Sequence, residues 1–139
     1  MNRSSGILLP VSALPGPCGI GDLGTDARDF IDFLAAAGQR YWQILPLNPP
    51  DGAHSPYLSA STFAGSTDLL SPEPFLARGA LTADEVRAVD WGEDPMRVDY
   101  DRVHAGRAAL WDAAFARERD TAAPALRAAL AAEPWLRDY

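Results

Sequence analysis

Apolar positions in the first fifty residues form two compact runs separated by one helical face. Ile7-Leu8-Leu9 runs directly into Pro10-Val11, with a further breaker at Pro15, and predicts a short buried strand. Thr25 can cap a helix whose apolar positions Ala27, Phe30, Ile31, Leu34 and Ala37 lie along one face. Asp26 and Asp29 fall in its first turn, where negative charge suits the helix dipole, and Gly38 supplies a stop. Tyr41-Trp42-Gln43-Ile44-Leu45-Pro46-Leu47 predicts a second buried strand. Strand, helix and strand in sequence make a βαβ unit, normally a right-handed crossover between parallel strands. Two parallel strands cannot hide both faces of a sheet. Either the sheet is completed from elsewhere or the chain is part of something larger.

From Asn48 to about Pro74 the periodicity disappears, and Pro, Gly, Ser and Thr dominate. A segment this long inside a compact chain is usually functional or a linker. Helical spacing then returns. Thr82-Ala83-Asp84-Glu85 is a capping box opening a short helix with Val86 and Val89 on one side. Val103, Arg107, Leu110, Trp111, Ala114 and Phe115 predict an amphipathic helix, with Arg107 covering the edge of the stripe. Leu126 and Leu130 fall on another helical segment, and Trp135 follows Pro134.

Composition narrows the classes. The 139 residues carry 12 Lys+Arg against 19 Asp+Glu, a formal net charge of -7, and every basic residue is arginine. With 47% hydrophobic and 22% charged residues, general disorder is excluded. An acidic chain without a basic stripe argues against nucleic acid or an anionic membrane as partner. No apolar run is long enough to span a bilayer, and Met1-Asn2-Arg3-Ser4-Ser5 leads too quickly into Gly6-Ile7-Leu8-Leu9 for a signal peptide. A lone cysteine, Cys18, rules out an internal disulfide and fits a reducing cytoplasm.

Several motifs carry candidate chemistry. Gly19-Ile20-Gly21-Asp22-Leu23-Gly24 matches G-x-G-x-x-G between a strand and a helix, the pattern of a dinucleotide site. Pro15-Gly16-Pro17 intervenes, Asp22, Asp26 and Asp29 would repel phosphate, and the second strand ends in Asn48 rather than an acid for the ribose. A glycine turn that seats the helix is the better reading. Asp51, His54 and Ser55 are triad residue types, but neighbours this close rarely reach triad geometry. Cys18, His54 and His104 lack any metal-ligand spacing. Carboxylate pairs such as Asp26/Asp29 and Glu118/Asp120 read as solvated helix faces. Ser55-Pro56-Tyr57-Leu58-Ser59-Ala60-Ser61-Thr62-Phe63-Ala64-Gly65 is different, because it follows the carboxyl end of the second strand. Aromatic rings can pack on a sugar's C–H face while Ser and Thr exchange hydrogen bonds with its hydroxyls. A plain structural loop is the alternative.

Ser4-Ser5-Gly6-Ile7-Leu8-Leu9, Leu14-Pro15-Gly16-Pro17 with the glycine motif, Tyr41 to Leu47, and Ser55-Pro56-Tyr57 with Phe63-Ala64-Gly65 resemble the N-terminal region of 4-α-glucanotransferases, the amylomaltase or disproportionating-enzyme family. Arg97-Val98-Asp99-Tyr100 and Trp135-Leu136-Arg137-Asp138-Tyr139 resemble that family's pattern further on. The resemblance implies an α/β fold: the N-terminal part of a (β/α)8 TIM barrel followed by a mostly helical inserted subdomain. It implies a first βαβ unit over 1–50, an active-site-side loop over 51–75 and a truncated helical insertion over 76–139. A whole barrel needs about 250 residues, so an N-terminal fragment is expected. The implied reaction is transfer of α-1,4-glucan segments between maltooligosaccharides by the retaining route, without cofactor or metal. The catalytic carboxylates are expected beyond Tyr139, so no acid here is assigned a catalytic role. By position, Ser55 and Tyr57 match residues that contact bound glucan near the cleavage point.

Departures from the family pattern are local. Asp51-Gly52-Ala53-His54 replaces the usual aromatic run before Ser-Pro-Tyr, and Ser66-Thr67 replaces an Asn-Pro after Phe63-Ala64-Gly65. Some members carry a second glucan site built from two tyrosines, and the aligned positions here are Gly52 and His104, which predicts that this second site is not functional. Two other classes stand beside the transferase reading. One is a stand-alone carbohydrate-binding module using Tyr57; the other is a nucleotide-binding α/β domain using Gly19, Gly21 and Gly24.

Overall fold

The computed structural model of the chain describes residues 3–137. Met1 and Asn2 of the leader reading, and Asp138 and Tyr139 of the last family motif, lie outside the described residues.

Strand β1 (Gly6–Leu8), helix α1 (Thr25–Ala36) and strand β2 (Tyr41–Gln43) form the expected βαβ unit. The strands are parallel, in register Gly6 with Tyr41, Ile7 with Trp42 and Leu8 with Gln43. Backbone bonds from Arg40 N–H to Ser5 and from Leu9 N–H to Gln43 extend the ladder at both ends. Trp42 Nε1 donates to the Leu9 carbonyl at 2.8 Å, locking the indole across the pair. Only three residues of the predicted second strand pair; from Ile44 the chain runs on extended without a described partner strand.

Both strands were expected to be buried, and this is corrected: Ile7 is 42% exposed, Leu8 57% and Tyr41 63%. The cause is the one anticipated for two parallel strands, since helix α1 covers only part of one face. The helix start also shifts by one residue. Gly24 is the N-cap and Thr25 the first helical residue, its hydroxyl accepting from Arg28 and its N–H donating to Glu73 Oε1 at 3.0 Å. Ala27 and Leu34 are buried, whereas Ile31 is exposed. Gly38, at φ +71°, ends the helix as predicted.

Helix α2 (Glu73–Ala77), helix α3 (Ala83–Ala88) and the long helix α4 (Tyr100–Ala132) follow. The capping box forms as read: Thr82 Oγ1 accepts from Glu85 N–H and Glu85 Oε2 accepts from Thr82 N–H. Two separate helical segments were expected near the carboxyl end, and they are one helix. Pro124 lies inside it. Its missing N–H costs one backbone bond, but the flanking Ala122, Ala123 and Ala125 favour helix enough to carry it through.

Two apolar clusters sit on either side of the glycine turn. Val11, Leu14 and Ala27 pack with Leu9, Phe30, Trp42, Leu47 and Leu69. Ala80, Leu81, Leu110 and Ala114 pack with Phe75, Val86, Val89, Trp91 and Trp111. Arg107 stands between them. The expectation that it covers an exposed stripe edge is corrected: its side chain is fully buried, with Nη2 donating to Asp22 Oδ2 at 3.1 Å and Nη1 donating to the Leu70 carbonyl. The carboxylate and the carbonyl replace water at the two terminal nitrogens of the guanidinium, while Nε is buried without a partner among the described residues.

Candidate functional site

The carboxyl ends of β1 and β2 open into a cleft of about 220 Å³ lined by Pro10, Val11, Ser12, Leu45, Leu47, Asn48, His54, Pro56, Asp68 and Tyr100 among others. Its floor is apolar because Val11 and Leu47 belong to the cluster beneath it. Its rim is the predicted sugar-handling segment.

That segment is built from small backbone rings. His54 N–H donates to the Asp51 carbonyl at 2.9 Å and Leu58 N–H to the Ser55 carbonyl at 3.1 Å, giving two successive turns. Asp51 N–H donates to the Leu58 carbonyl at 2.8 Å, closing residues 51–58 on themselves. The next stretch is fastened from below. Asn48 Nδ2 donates to the carbonyls of Ser61 and Ala64, at 3.0 and 3.1 Å, and Ser66 N–H returns to the Leu47 carbonyl.

Ser55 lies between the two turns, half-buried, and Tyr57 lies in the second, 71% exposed. Neither lines the cleft itself; their neighbours His54 and Pro56 do. The hydroxyls of Ser59 and Ser61, grouped with them in the sequence reading, are used differently. Ser61 Oγ accepts from the N–H groups of Phe63 and Ala64, and Ser59 Oγ donates to the Ser61 carbonyl. They hold the turn, while the Tyr57 ring and Thr62 are exposed and the exposed Phe63 ring stacks on Trp135 with centroids 5.8 Å apart.

The Asp51-His54-Ser55 group does not assemble as a triad. Asp51 Oδ1 accepts from Ala53 N–H at 3.0 Å, and the His54 ring stacks on Tyr100 with centroids 4.3 Å apart and planes within 9°. Among the described residues, no three His, Cys, Asp or Glu side chains gather as a metal site. Gly21 and Gly24 have no free face for a pyrophosphate. A Cβ on Gly21 would lie 2.2 Å from the Val11 carbonyl oxygen, and one on Gly24 would lie 2.5 Å from Ser71 Oγ. The glycine motif serves close packing.

Acid chemistry is also legible from the ion pairs. Glu73, Glu85, Asp90 and Glu118 all have carboxyls pushed below their ordinary range, by hydrogen bonds from Thr25, Arg117, Gly92 and Arg78 respectively before any other cause. A general acid working near neutral pH needs the opposite shift. These carboxylates are structural anchors. Burial pushes the Cys18 thiol up, which makes it a poor nucleophile.

Three features of the site escape sequence reading: the Asn48 clamp, the His54–Tyr100 stack and the Arg107–Asp22 pair that fixes α4 against the glycine turn. Asn48 sits just past a strand end, a signal of sorts; the other two pairs are far apart in the chain. The structure also brings Gly52 and His104 to one cavity of about 310 Å³, with Asp68 beside His104 at 3.5 Å.

Comparison with known proteins gives a consistent picture. The family model described as 4-alpha-glucanotransferase matches residues 9–139. The 4-alpha-glucanotransferase of Streptococcus pneumoniae serotype 4 is 44% identical over 115 residues, 83% of this chain and 23% of that protein. That of Thermus thermophilus is 43% identical over 142 aligned positions, 99% of this chain and 27% of that protein. Among solved structures, amylomaltase from Streptococcus agalactiae in complex with acarbose superposes with a TM-score of 0.93 at 34% identity, covering 99% of this chain and 28% of that one. The chain thus spans about a quarter of the length of the relatives it matches. Its fold is the corresponding part of the amylomaltase α/β barrel, with two of the barrel's strands and a mostly helical region.

Proposed function

Because the chain belongs to the 4-alpha-glucanotransferase family, we propose that it forms the N-terminal part of an enzyme that moves α-1,4-glucan segments between maltooligosaccharides. Residues 1–50 supply the first βαβ unit of the barrel, 51–75 the loop on the active-site side, and 76–139 part of a helical insertion. The catalytic carboxylates, one forming the glycosyl-enzyme and the other serving as acid and then base, lie outside this sequence. The contribution of these residues is to bind and orient.

The observation that carries the reading is the closed loop at the carboxyl ends of the strands, which holds Tyr57 outward instead of packing it in the core. Tyr57 offers a ring face to a sugar's C–H groups, and Ser55 offers a hydroxyl that exchanges hydrogen bonds with sugar hydroxyls. The glycine turn positions α1, and the apolar floor of the cleft lies below the loop. Such a protein needs no cofactor, acts on uncharged glucans in the cytoplasm, and has no second glucan site of the tyrosine type, since Gly52 offers no stacking surface.

Substitution of Tyr57 by Ala in the full-length enzyme tests the reading. Loss of ring packing lowers kcat/KM about tenfold, equivalent to about 1.4 kcal/mol. The KM-to-kcat split reports whether the contact is shared by ground and transition states. Unchanged kinetics with a large fall in Tm would place Tyr57 in the core and refute the proposal.

A further inference from the structure

His54 occupies an unusual position. It is the one described non-glycine residue with positive φ, at 57°, and it joins the two turns of the closed loop 51–58. Left-handed backbone is costly for a residue with a Cβ and persists where surroundings over-determine it. Here the over-determining contact is the imidazole, lying flat on the ring of Tyr100 at 4.3 Å. Tyr100 is in turn immobilised as the first residue of α4, behind the Asp99 N-cap, whose side chain accepts from Arg102 N–H. Two turns further along the same helix, Arg107 is fixed to Asp22 in the glycine turn. A series of contacts therefore runs from the glycine turn through α4 to the loop.

We propose that His54 is a positioning residue for glucan binding: its stack on Tyr100 sets the orientation of the closed loop, and so of Ser55 and Tyr57 beside it. The inference rests on the reading of Ser55 and Tyr57 as glucan contacts. His54 itself need not touch the sugar. Its left-handed backbone fixes the direction in which the second turn leaves, and its ring fixes that backbone to the helix. The other histidine, His104 on α4, sets its Nδ1 3.5 Å from Asp68 Oδ1, a contact that becomes an ion pair only when the imidazole is protonated.

The test is steady-state kinetics on maltotriose with the full-length enzyme and five variants, Tyr57→Ala among them. His54→Asn keeps a side chain tolerant of left-handed backbone but removes the stack. It raises KM about 3–10-fold, with kcat little changed and Tm preserved. Tyr100→Leu has the same effect from the other side, and Tyr100→Phe, which retains the ring, recovers most of the KM. The double variant His54→Asn/Tyr100→Leu is no worse than either single, because one interaction is removed twice. Additive single effects, or an unchanged KM in His54→Asn while Tyr57→Ala is impaired, overturn the positioning role alone. A silent Tyr57→Ala overturns the binding site and this inference with it.

Discussion

Arg107 and Asp22, separated by 85 residues in sequence, meet as an ion pair at 3.1 Å in which the guanidinium is fully buried and the carboxylate nearly so. Asp22 Oδ1 is also engaged, accepting from Gly24 N–H at 2.9 Å just ahead of α1. The pair therefore joins the start of α1 to the first third of α4. Breaking a buried pair strands a charge without water, which costs far more than an exposed pair returns. Arg107→Leu is expected to lower stability by about 3–5 kcal/mol in urea melts of the full-length protein. Arg107→Lys recovers little, because one ammonium cannot serve both Asp22 and the Leu70 carbonyl with the fork geometry of arginine. A loss below about 1 kcal/mol would show that the pair is not a principal tie.

A second expectation concerns acid. Arg117, donating to Glu85 from two guanidinium nitrogens, together with the N–H and hydroxyl of Thr82, holds the Glu85 carboxyl at about 2 against an ordinary 4.5. A carboxyl with its folded value lowered contributes stability that is fully present above the unfolded value and is lost as pH falls through the folded one. The Tm difference between the unsubstituted protein and Glu85→Gln should therefore be constant from neutral pH to about 5, then shrink between 4.5 and 2. A difference independent of pH over that window contradicts the assignment.

Asn48 gives a third. Its amide satisfies two carbonyls of the 61–64 turn at once. Asn48→Ala leaves them unpaired at a cost of about 1–3 kcal/mol and loosens the segment that follows the glucan-binding loop. A fall in Tm accompanied by a rise in KM for maltooligosaccharide is the expected pairing. A fall in Tm with unaltered KM would separate the clamp from binding.

The legible part of the structure was the local part. The βαβ unit followed from two apolar runs and one helical face, and the Thr82–Glu85 box from a four-residue pattern. What the sequence concealed depended on distant partners. Arg107 looked like any long side chain at the edge of a stripe, because nothing near it announces Asp22. His54 looked like a weak triad member, and only the fold puts Tyr100 beneath its ring. Ser59 and Ser61 looked like ligand groups, yet their hydroxyls were taken by adjacent backbone. The continuity of α4 through Pro124 is not legible locally, because a proline inside a helical stretch ordinarily ends or kinks it.

Exposed strand faces provide a fourth expectation. Ile7, Leu8, Ile31, Phe33 and Tyr41 leave apolar surface open around the β1–β2 pair. The 139-residue polypeptide by itself should bind an apolar dye and associate as its concentration rises. Analytical ultracentrifugation showing a monodisperse monomer, with a cooperative melt, would contradict this.

The proposed role of the closed loop 51–58 is to present Ser55 and Tyr57 to glucan. Crystals of the full-length enzyme soaked with a maltooligosaccharide measure it most directly. The expected result is a glucose ring packed on the face of Tyr57, with a sugar hydroxyl within hydrogen-bond distance of Ser55 Oγ. Well-ordered sugar bound in the barrel mouth, with both residues out of contact, would contradict it.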